Sequence, residues 1–404
     1  MSDRIEADVC VVGAGPVGGA LACRLAEAGV RVAILDRAKL PPMEHPDFDG
    51  RAYAIADSSR RLLEAAGVWE RLPFPAGPIR DIRVSDGRVG RPASPLHLHF
   101  GARDVGADAF GWMVEARSLR VALNARLHAL PTLRVFAPCA AAVERAAGGV
   151  TVRVADGPEI AARLVVAAEG RDSPLRAAAG IPVSRIPYGQ TGLVCAIAHE
   201  RPHDEVALEH FLPAGPFAQL PMAPTEVAPH VSAIVWTERD AVARRLLALP
   251  PEAYARELAR RLGPHLGAVR LIGRRWSYPL TAMHAHRYVA ERLALVGDAA
   301  HGVHPIAGQG LNLGFRDAAA LAALVIAAVA AGQDPGAPAL LRRYQAARRP
   351  DNLLMLAATD GLERLFSTDN PLLRTARDVG IAAVHRLPPL RRLFIRQAMG
   401  APAG

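Results

Sequence analysis

The sequence contains a single lysine, Lys39, among 404 residues, whereas arginine is abundant. The phosphate-binding P-loop of nucleoside triphosphatases needs a lysine followed by serine or threonine, and Lys39 is followed by leucine. Nucleoside triphosphatase chemistry is therefore excluded at this lysine. Catalysis through a lysine Schiff base is disfavoured for the same reason, because Lys39 is the only candidate.

Cysteine is also scarce: Cys10, Cys23, Cys139 and Cys195 are far apart and include no Cys-x-x-Cys pair for zinc or redox chemistry. They indicate buried thiols in a reducing compartment. The longest apolar run, 318–331, is shorter than the roughly 20 residues that cross a bilayer and predicts a core helix. Because the N-terminus also lacks the basic region of a signal peptide, we expect a cytoplasmic protein.

The net charge is +9, from 48 basic and 39 acidic residues, but the arginines are scattered. Nucleic-acid binding needs a basic stripe or a known module, and neither is visible, so no nucleic-acid partner is expected. A weaker consequence is attraction to an anionic membrane surface. The closely spaced histidine pairs lack nearby acidic or cysteine ligands, and we expect no metal site.

The first 36 residues follow the order strand, glycine turn, helix, strand. Gly13 permits the tight turn, Gly15 lets the backbone approach a pyrophosphate, and Gly18 lets the helix pack closely on the strand. Asp36 closes the second strand, where a carboxylate can bind a ribose hydroxyl. The segment predicts a dinucleotide site but does not distinguish FAD from NAD.

Two later stretches favour FAD. A buried strand pattern at 293–296 delivers Asp298, which is placed to hydrogen-bond a polyol such as ribityl. The following turn contains Pro305, Gly308, Gln309 and Gly310 and leads into the long apolar helix. Its helix start can direct N–H groups at the negative charge of a reduced flavin, so we predict that this turn activates the flavin.

The runs Gly-Asp-Ala-Ala-His from 297 and Pro-Ile-Ala-Gly-Gln-Gly-Leu-Asn-Leu-Gly-Phe-Arg-Asp from 305 resemble the third FAD motif of hydroxylases built like 4-hydroxybenzoate hydroxylase. They are most similar to the ubiquinone-biosynthesis hydroxylases of the UbiH type. The similarity extends over nearly the whole chain. The other stretches that carry it are 50–55, 111–115, 215–221, 233–237 and 397–400.

This resemblance implies roles for individual residues. Asp298 would bind the ribityl chain, and the turn from Gly308 through Gly310 and Leu311 to Asn312 would contact the isoalloxazine. Arg51 would lie near the pyrophosphate or the flavin edge, unless it is a surface arginine.

Two departures from the family pattern matter. Glu169 replaces the usual aspartate of the middle motif and would need to accommodate one extra methylene. Arg117 stands one residue late relative to the family's Arg-x-x-Leu, so no FAD contact is expected from it.

The predicted fold is α/β: a Rossmann-like FAD-binding domain, an interleaved sheet-plus-helix substrate domain of the 4-hydroxybenzoate hydroxylase type, and C-terminal helices. The FAD-binding domain is predicted over 1–74, 106–180 and 277–345, the substrate domain over 75–105 and 181–276, and the helical segment over 346–404. Strands are predicted over 7–12, 30–35, 79–89, 96–105, 193–198, 206–212, 231–236 and 269–278, and helices over 16–28, 239–249 and 252–262.

The family resemblance implies an FAD monooxygenase that hydroxylates a polyprenylated phenol or quinol in ubiquinone biosynthesis, through a flavin C4a-hydroperoxide formed with O₂. NAD(P)H is the expected electron donor, although a separate reductase stays open. The apolar composition of 213–224 favours a lipophilic aromatic substrate. The mixed basic and apolar run 387–396 suggests contact with the inner membrane surface or with a ubiquinone biosynthetic complex. No acid or base in the sequence demands a catalytic role.

Three other functions stay open at this point. They are a soluble hydroxylase of small aromatic compounds, an FAD-dependent prenyl reductase, and an FAD-binding scaffold subunit of the biosynthetic complex.

Overall fold

Three β-sheets and eight helices form the part of the chain that the computed structural model describes, residues 4–40, 47–90, 97–304 and 308–366. The strands in chain order are β1 (Arg4–Val12), β2 (Val32–Leu35), β3 (Ala52–Ala56), β4 (Gly77–Ile79), β5 (Asp81–Asp86), β6 (His97–Gly101), β7 (Gly111–Glu115), β8 (Leu133–Phe136), β9 (Ala141–Ala146), β10 (Gly149–Val154), β11 (Glu159–Ala167), β12 (Val183–His199), β13 (Val206–Leu212), β14 (Gly215–Met222), β15 (Val231–Arg239), β16 (Val269–Ala285), β17 (Val289–Ala290), β18 (Leu293–Leu295) and β19 (His301–Gly302).

The helices in chain order are α1 (Pro16–Glu27), α2 (Asp57–Ala65), α3 (Ala116–Ala129), α4 (Pro174–Ala178), α5 (Asp240–Leu247), α6 (Pro251–Leu262), α7 (Gln309–Ala330) and α8 (Pro338–Phe366). Short 3₁₀ helices lie at Trp69–Arg71, Ala102–Val105 and Gly297–Ala299.

The first sheet carries the Rossmann-like topology. Its main path has the order β17-β18-β11-β1-β2-β8, and β10 and β9 continue antiparallel from β11. Strand β1 pairs in parallel with both β2 and β11, and β18 pairs in parallel with β11. Parallel strands are buried on both faces, which explains why β2 and the C-terminal ends of β1 and β11 are continuously apolar. The α/β class predicted from the sequence is confirmed.

The second sheet has the order β19-β16-β12-β15-β14-β13-β5-β6. Helices α5 and α6 cover one face, where Trp236 and Phe217 from the strands pack in one core with Tyr254 and Leu258 from α6. The opposite face belongs to a separate core that includes Met113 of the small third sheet, β3-β7-β4. The sheet therefore has helices on one face, as the sequence predicts.

Two predicted strands differ from the structure. The run 79–89 divides at Arg80: β4 pairs with β7 in the third sheet, whereas β5 pairs with β6 and β13 in the second. The run 96–105 leaves the sheet after Gly101, because Asp104 accepts a hydrogen bond from the Gly101 N–H at 3.1 Å and closes a 3₁₀ turn. Local polar contacts of this kind compete with sheet pairing.

Two other elements extend beyond their predicted bounds. Strand β16 continues to Ala285 and so crosses residue 277, where the sequence places a domain boundary. Helix α8 begins at Pro338, before the predicted helical segment. The domain boundaries stay a prediction, and residues 367–404, including the run 387–396, lie outside the described residues.

Helix α7 is long and apolar enough to cross a membrane by length and composition. In this structure it packs against α1, α2 and α8. Its buried side chains include Leu313, Phe315, Leu321 and Val325. This placement agrees with the core helix that the run 318–331 predicts.

Candidate active site

The carboxyl ends of four parallel strands meet at one edge of the first sheet. The Gly13 N–H donates to the carbonyl of Leu35 at 2.8 Å, which ties the end of β1 to that of β2. Ala168, after β11, donates to Val12 at 2.8 Å, and Val296, after β18, donates to Ala167 at 3.0 Å. The three motifs that are distant in sequence therefore converge where open α/β sheets bind their ligands.

The glycine turn is built around close backbone contacts. Gly13 has φ of +102°, and a Cβ there would lie 2.4 Å from the carbonyl oxygen of Ala168. A Cβ on Gly18 would lie 2.0 Å from the carbonyl oxygen of Gly13. These two glycines are required by the packing of the protein itself.

Gly15 is different, because a Cβ there would meet nothing within 4 Å. The open space lies at the N-terminus of α1, which no side chain caps. A helix N-terminus presents unpaired N–H groups and roughly half a positive charge to an anion. An open cradle bounded by a glycine at this position fits the pyrophosphate of FAD.

Asp36 is anchored to the same turn. Its Oδ2 accepts a hydrogen bond from the Ala14 N–H at 2.6 Å, and its Oδ1 accepts one from the Ala38 N–H at 2.8 Å. The carboxylate is thus oriented at the end of β2. Each carboxylate oxygen has a second lone pair with which to bind a ribose hydroxyl.

Asp298 lies in the 3₁₀ turn after β18, and its side chain is 48% exposed. Its Oδ2 accepts a hydrogen bond from Nε of Arg171 at 3.2 Å. Arg171 follows the middle motif, so this ion pair joins the middle and late motifs. The exposed carboxylate is placed to accept hydrogen bonds from a polyol.

Glu169 supports a turn of the protein. Its Oε2 accepts hydrogen bonds from the Ser173 hydroxyl at 2.6 Å and from the Leu175 N–H at 3.2 Å. Ser173 in turn caps α4. The extra methylene relative to aspartate lets the carboxylate reach the start of this helix, and a role of Glu169 in cofactor binding stays a prediction.

Asn312 uses its whole side-chain amide within the protein. The oxygen accepts from the Ala56 N–H at 2.9 Å and the Ser59 hydroxyl at 2.7 Å. The nitrogen donates to the carbonyls of Ala54 at 2.9 Å and Gly308 at 3.1 Å. Since an amide has two acceptor and two donor sites, the side chain is saturated. Any contact of Asn312 with a cofactor would use its backbone.

The remaining predicted turn residues lie at the start of α7. Gly308 has φ of +62° and precedes the first helical residue, Gln309, whose side chain is buried. A Cβ on Gly308 would lie 3.2 Å from Cβ of Ala54. Gly310 and Leu311 follow in the first turn of the helix. Pro305 lies outside the described residues.

Arg51 and Arg117 are both held by carboxylates. Arg51 donates to Asp49 at 2.7 Å, and its guanidinium lies 4.2 Å from the ring centre of Trp276. Arg117 is buried, donates to Glu115 at 2.6 Å and pairs with Glu226 at 2.9 Å. Arg117 therefore stabilises the strand-to-helix junction at β7, and the place of Arg51 beside the cofactor stays a prediction.

A buried ionic network behind the late motif escaped the sequence analysis. Oδ2 of the fully buried Asp317 accepts a hydrogen bond from the Gly297 N–H at 3.1 Å and lies 2.6 Å from Nε2 of His301. Its Oδ1 accepts from Nε of Arg348 at 2.8 Å and from Nδ2 of Asn352 at 3.0 Å. His301 and Arg348 hold the pKa of Asp317 below its usual value although burial alone would raise it.

A cavity of about 390 Å³ lies between β12, the turn joining β13 to β14, and the end of α8. Apolar residues form one side, including Pro213 and Ala214, while Arg239 and Glu363 are among its charged lining groups. The apolar stretch 213–224 therefore contributes Pro213 and Ala214 to this cavity, where they lie opposite charged side chains.

Comparison with known proteins agrees with this geometry. A family model described as an FAD binding domain matches residues 6–358. The ubiquinone hydroxylase UbiL of Rhodospirillum rubrum is 52% identical over 99% of this chain and 90% of its own length. The chain belongs to the family of FAD-dependent ubiquinone hydroxylases. It is accordingly an FAD-dependent monooxygenase, as the resemblance implies.

Two further matches support this membership. This hydroxylase is 33% identical to the 3-demethoxyubiquinol 3-hydroxylase of Escherichia coli, with 97% of this chain and 98% of that protein covered. The crystal structure of PqsL from Pseudomonas aeruginosa, a probable FAD-dependent monooxygenase, superimposes with a TM-score of 0.76. That match has 26% identity and covers 94% of this chain and all of the other.

Arg171, Asp317 and Ser59 are the residues of the hydroxylase that the sequence analysis passed over. Asp317 is the last residue of the run quoted from 305, and Arg171 directly follows Glu169 and Gly170 of the middle motif. For Asp317 the available signal was a charged residue at the start of a long apolar run, because a buried charge needs partners. Ser59 gave no such signal, since serine is common on helices.

The hydroxylase should lose stability as the pH falls from about 6.5 to about 4. Burial lowers the pKa of His284 and of His304 to about 4, whereas an unfolded histidine has a pKa of about 6.5. Between these values the unfolded chain binds more protons, so the free energy of unfolding falls with falling pH.

Urea unfolding at a series of pH values measures this dependence. A His284→Gln variant should show a shallower decrease across the window, because it has one fewer depressed histidine. Equal slopes for the variant and the wild-type protein would contradict the assignment of His284 to this effect.

Proposed function

We propose that the protein hydroxylates the aromatic ring of a polyprenylated phenol or quinol in ubiquinone biosynthesis, with FAD, O₂ and electrons from NADH or NADPH. The carrying observation is the convergence of the Gly13–Gly18, Glu169–Arg171 and Gly297–Asp298 motifs on one strand edge. Relatives named for ubiquinone hydroxylation support the substrate class, because they match this chain over nearly its whole length.

FAD, when bound, supplies the activation of O₂ and the transfer of one oxygen atom to an electron-rich ring. The chain's own residues bind and orient it. The N-terminus of α1 beside Gly15 binds the pyrophosphate, Asp36 binds the ribose, and Asp298 binds the ribityl chain. The first N–H groups of α7 stabilise negative charge on the reduced ring.

Analysis of quinones in a strain that lacks the gene tests the proposal. Mass spectrometry should detect an intermediate that lacks one ring hydroxyl, and the wild-type gene should remove it only in the presence of O₂. An unreduced prenyl chain would instead favour a prenyl reductase. An unchanged quinone pool would favour a hydroxylase of small aromatic compounds.

An Asp298→Ala variant tests whether the bound flavin is needed for function. The exposed carboxylate contributes a hydrogen bond to the cofactor, so we expect FAD affinity to fall at least about tenfold, equivalent to about 1.4 kcal/mol. Fluorescence titration of the apoprotein with FAD measures this change. Full complementation of the gene deletion by a flavin-free variant would indicate a scaffold subunit.

Mixing the oxidised protein anaerobically with NADH or NADPH identifies the electron donor. Loss of flavin absorbance within seconds supports direct use, whereas a persistent spectrum favours a separate reductase.

We further propose a cytoplasmic protein that contacts the inner face of the membrane, because its substrate is lipid-soluble. Leu354 on α8 is 60% exposed, and the chain carries a net positive charge of +9. The full-length protein should float with anionic liposomes and much less with neutral ones. Equal recovery with both would contradict an electrostatic contact.

A further inference from the structure

Glu209 is a glutamate in the middle of β13 that has only apolar side chains around it on its face of the second sheet. The sheet register places Val84 of β5 and Ala218 of β14 directly beside it. Ala207 and Phe211 lie two positions away on the same strand, and side chains two residues apart share one face of a sheet. A single carboxylate therefore interrupts an apolar surface.

The carboxylate of Glu209 is not neutralised by the protein. No hydrogen bond or ion pair joins it to any of the described residues, and burial alone raises its pKa, to about 7. The carboxyl group lies deep inside the protein, yet part of the residue's surface stays accessible. An accessible surface at that depth faces an internal space and not bulk solvent. Because a buried ionisable group without a partner costs stability, its presence indicates a function beyond packing.

The face of the sheet that carries Glu209 is turned toward the late cofactor motif. Ala207 belongs to the core that the second and third sheets share, and Ala54 of β3 packs against that core. The carbonyl of Ala54 accepts a hydrogen bond from Nδ2 of Asn312 at 2.9 Å, and a Cβ on Gly308 would lie 3.2 Å from Cβ of Ala54. Strand β3 thus connects this face to the start of α7, where the flavin ring is expected.

On the other side of Glu209, the sheet packs against α8. Phe211 contacts Leu362 and Leu365 near the end of that helix. Glu209 therefore stands between a neighbour that packs toward β3 and a neighbour that packs toward α8. Helix α7 contacts both β3 and α8. The internal space in front of Glu209 is accordingly bordered by the elements that hold the start of α7.

We propose that the carboxylate of Glu209 accepts a hydrogen bond from the ring hydroxyl of the substrate and so holds the ring beside the cofactor. The inference rests on the proposed function, because it requires a phenol or quinol in this space. The hydroxyl supplies the donor that the carboxylate lacks, and the apolar neighbours contact the rest of the ring. The proton stays on the hydroxyl, so no bond is made or broken.

The charges on the surrounding elements leave this role to Glu209. Strands β14 and β3 present no charged side chain to its face. The charged groups on the other packed elements are Asp86 on β5, Glu115 on β7, which is paired with Arg117, and Asp360, Glu363 and Arg364 at the end of α8. None of these charges contributes to the pKa shift of Glu209.

The raised pKa gives the interaction a dependence on pH. A phenol keeps its proton between about pH 6 and pH 8, because its pKa is about 10. The ionised carboxylate is the stronger acceptor, since a hydrogen bond to a charged group is about twice as strong as a neutral one. Affinity for the phenol should therefore rise as the pH increases through about 7, where Glu209 loses its proton.

The test uses the FAD-loaded protein and two probes, 2-geranylphenol and geranylbenzene, which differ only in the hydroxyl. Calorimetric titration gives the Kd of each probe for the wild type, Glu209→Leu, Glu209→Gln and a control, Glu252→Gln. Glu252 is an exposed glutamate on α6. The flavin absorbance, recorded in the same titrations, shows whether the bound phenol lies beside the cofactor.

The preference for the phenol, defined as the ratio of the two Kd values, should fall at least about tenfold in Glu209→Leu. The ratio cancels changes in the shape of the site, which affect both probes. Glu209→Gln retains an oxygen acceptor without the charge, so it should keep part of the preference but lose the pH dependence. The control should behave as the wild type.

The unfolding temperature separates this role from a structural one. Because the carboxylate has no partner in the protein to lose, Glu209→Leu and Glu209→Gln should unfold at or above the temperature of the wild type. A structural glutamate would instead give variants that unfold at lower temperature.

Three results would overturn the inference and leave the proposed function intact: an unchanged preference in Glu209→Leu, a pH dependence retained in Glu209→Gln, or flavin absorbance that does not respond to the bound phenol. Failure of the wild type to bind 2-geranylphenol would also overturn it. The quinone intermediate in the deletion strain then shows whether the proposed function fails as well.

Discussion

Alanine at Gly15 is expected to abolish FAD binding while leaving the protein folded. The added Cβ meets no protein atom within 4 Å, and the backbone φ of −62° is one that alanine adopts readily. It occupies the space in which the pyrophosphate approaches the N-terminus of α1. We expect at least about a hundredfold weaker FAD binding, equivalent to about 2.7 kcal/mol, and an unchanged unfolding temperature of the apoprotein.

Gly18→Ala gives the contrasting result. Its Cβ would lie 2.0 Å from the Gly13 carbonyl oxygen and 2.8 Å from Cβ of Ala168, so backbone must move. Apoprotein stability should therefore fall by about 1–3 kcal/mol, in addition to the loss of FAD.

Fluorescence titration of the apoprotein with FAD and urea unfolding together distinguish the two variants. Gly148→Ala is the matched control, because a Cβ there also meets nothing within 4 Å but lies in the turn between β9 and β10. Wild-type FAD affinity in Gly15→Ala would show that the cofactor does not pass this turn.

The second large effect is expected at Asp317. In Asp317→Asn the charge is lost, and one side-chain oxygen becomes an NH₂ group. This NH₂ group faces atoms that donate hydrogen bonds to Asp317 in the wild-type protein. The Arg348 cation then remains buried with a weaker partner, which costs about 3–5 kcal/mol when a buried ion pair is broken. The Gly297 N–H is among the groups that would lose or weaken their acceptor, so FAD binding should weaken as well.

Urea unfolding of apoprotein and FAD titration measure both consequences. Glu291→Gln is a suitable control, because Glu291 is exposed and its side chain takes part in no described hydrogen bond or ion pair. An Asp317→Asn protein as stable as this control would mean that the network contributes little to the fold.

Gly15→Ala and Asp317→Asn distinguish residues that make room for the cofactor from residues that support the surrounding fold. Gly15 contributes empty space to the cofactor and nothing to the packing of the apoprotein. Asp317 contributes to the fold directly and to the cofactor only through the turn at Gly297. A loss of FAD without a loss of stability is therefore specific to the cradle.

Local pattern was sufficient for several elements, in the first sheet's layer and in the second sheet. The helix from Pro16 and the strand at Val206–Leu212 lie where hydrophobic periodicity places them. Hydrophobic periodicity did not predict that the strand pattern 79–89 is divided at Arg80. The residues on either side of it have similar strand propensity, but they pair with strands of different sheets, and no local signal specifies the partner.

The site divides in the same way. Gly13, Gly15, Gly18, Asp36 and Asp298 were predicted from the sequence, because their proposed chemistry depends on short spacing around a turn. Asn312 was identified as a site residue, but its side chain bonds to Ala54, Ala56 and Ser59, about 250 positions earlier in the chain. Spacing within a motif carries no information about such partners.

The sequence by itself determined the α/β class, the family and the order in which the cofactor segments occur. The class and the cofactor segments depend on glycine geometry and hydrophobic period, which act over a few neighbouring residues, whereas the family follows from the resemblance of the motifs. Only the tertiary structure decided that Asp317 supports the Gly297 turn and that Glu209 lies on the face of the second sheet that packs against β3. Those contacts join residues far apart in the chain, and a buried charge shows its role only when the groups that neutralise it are known.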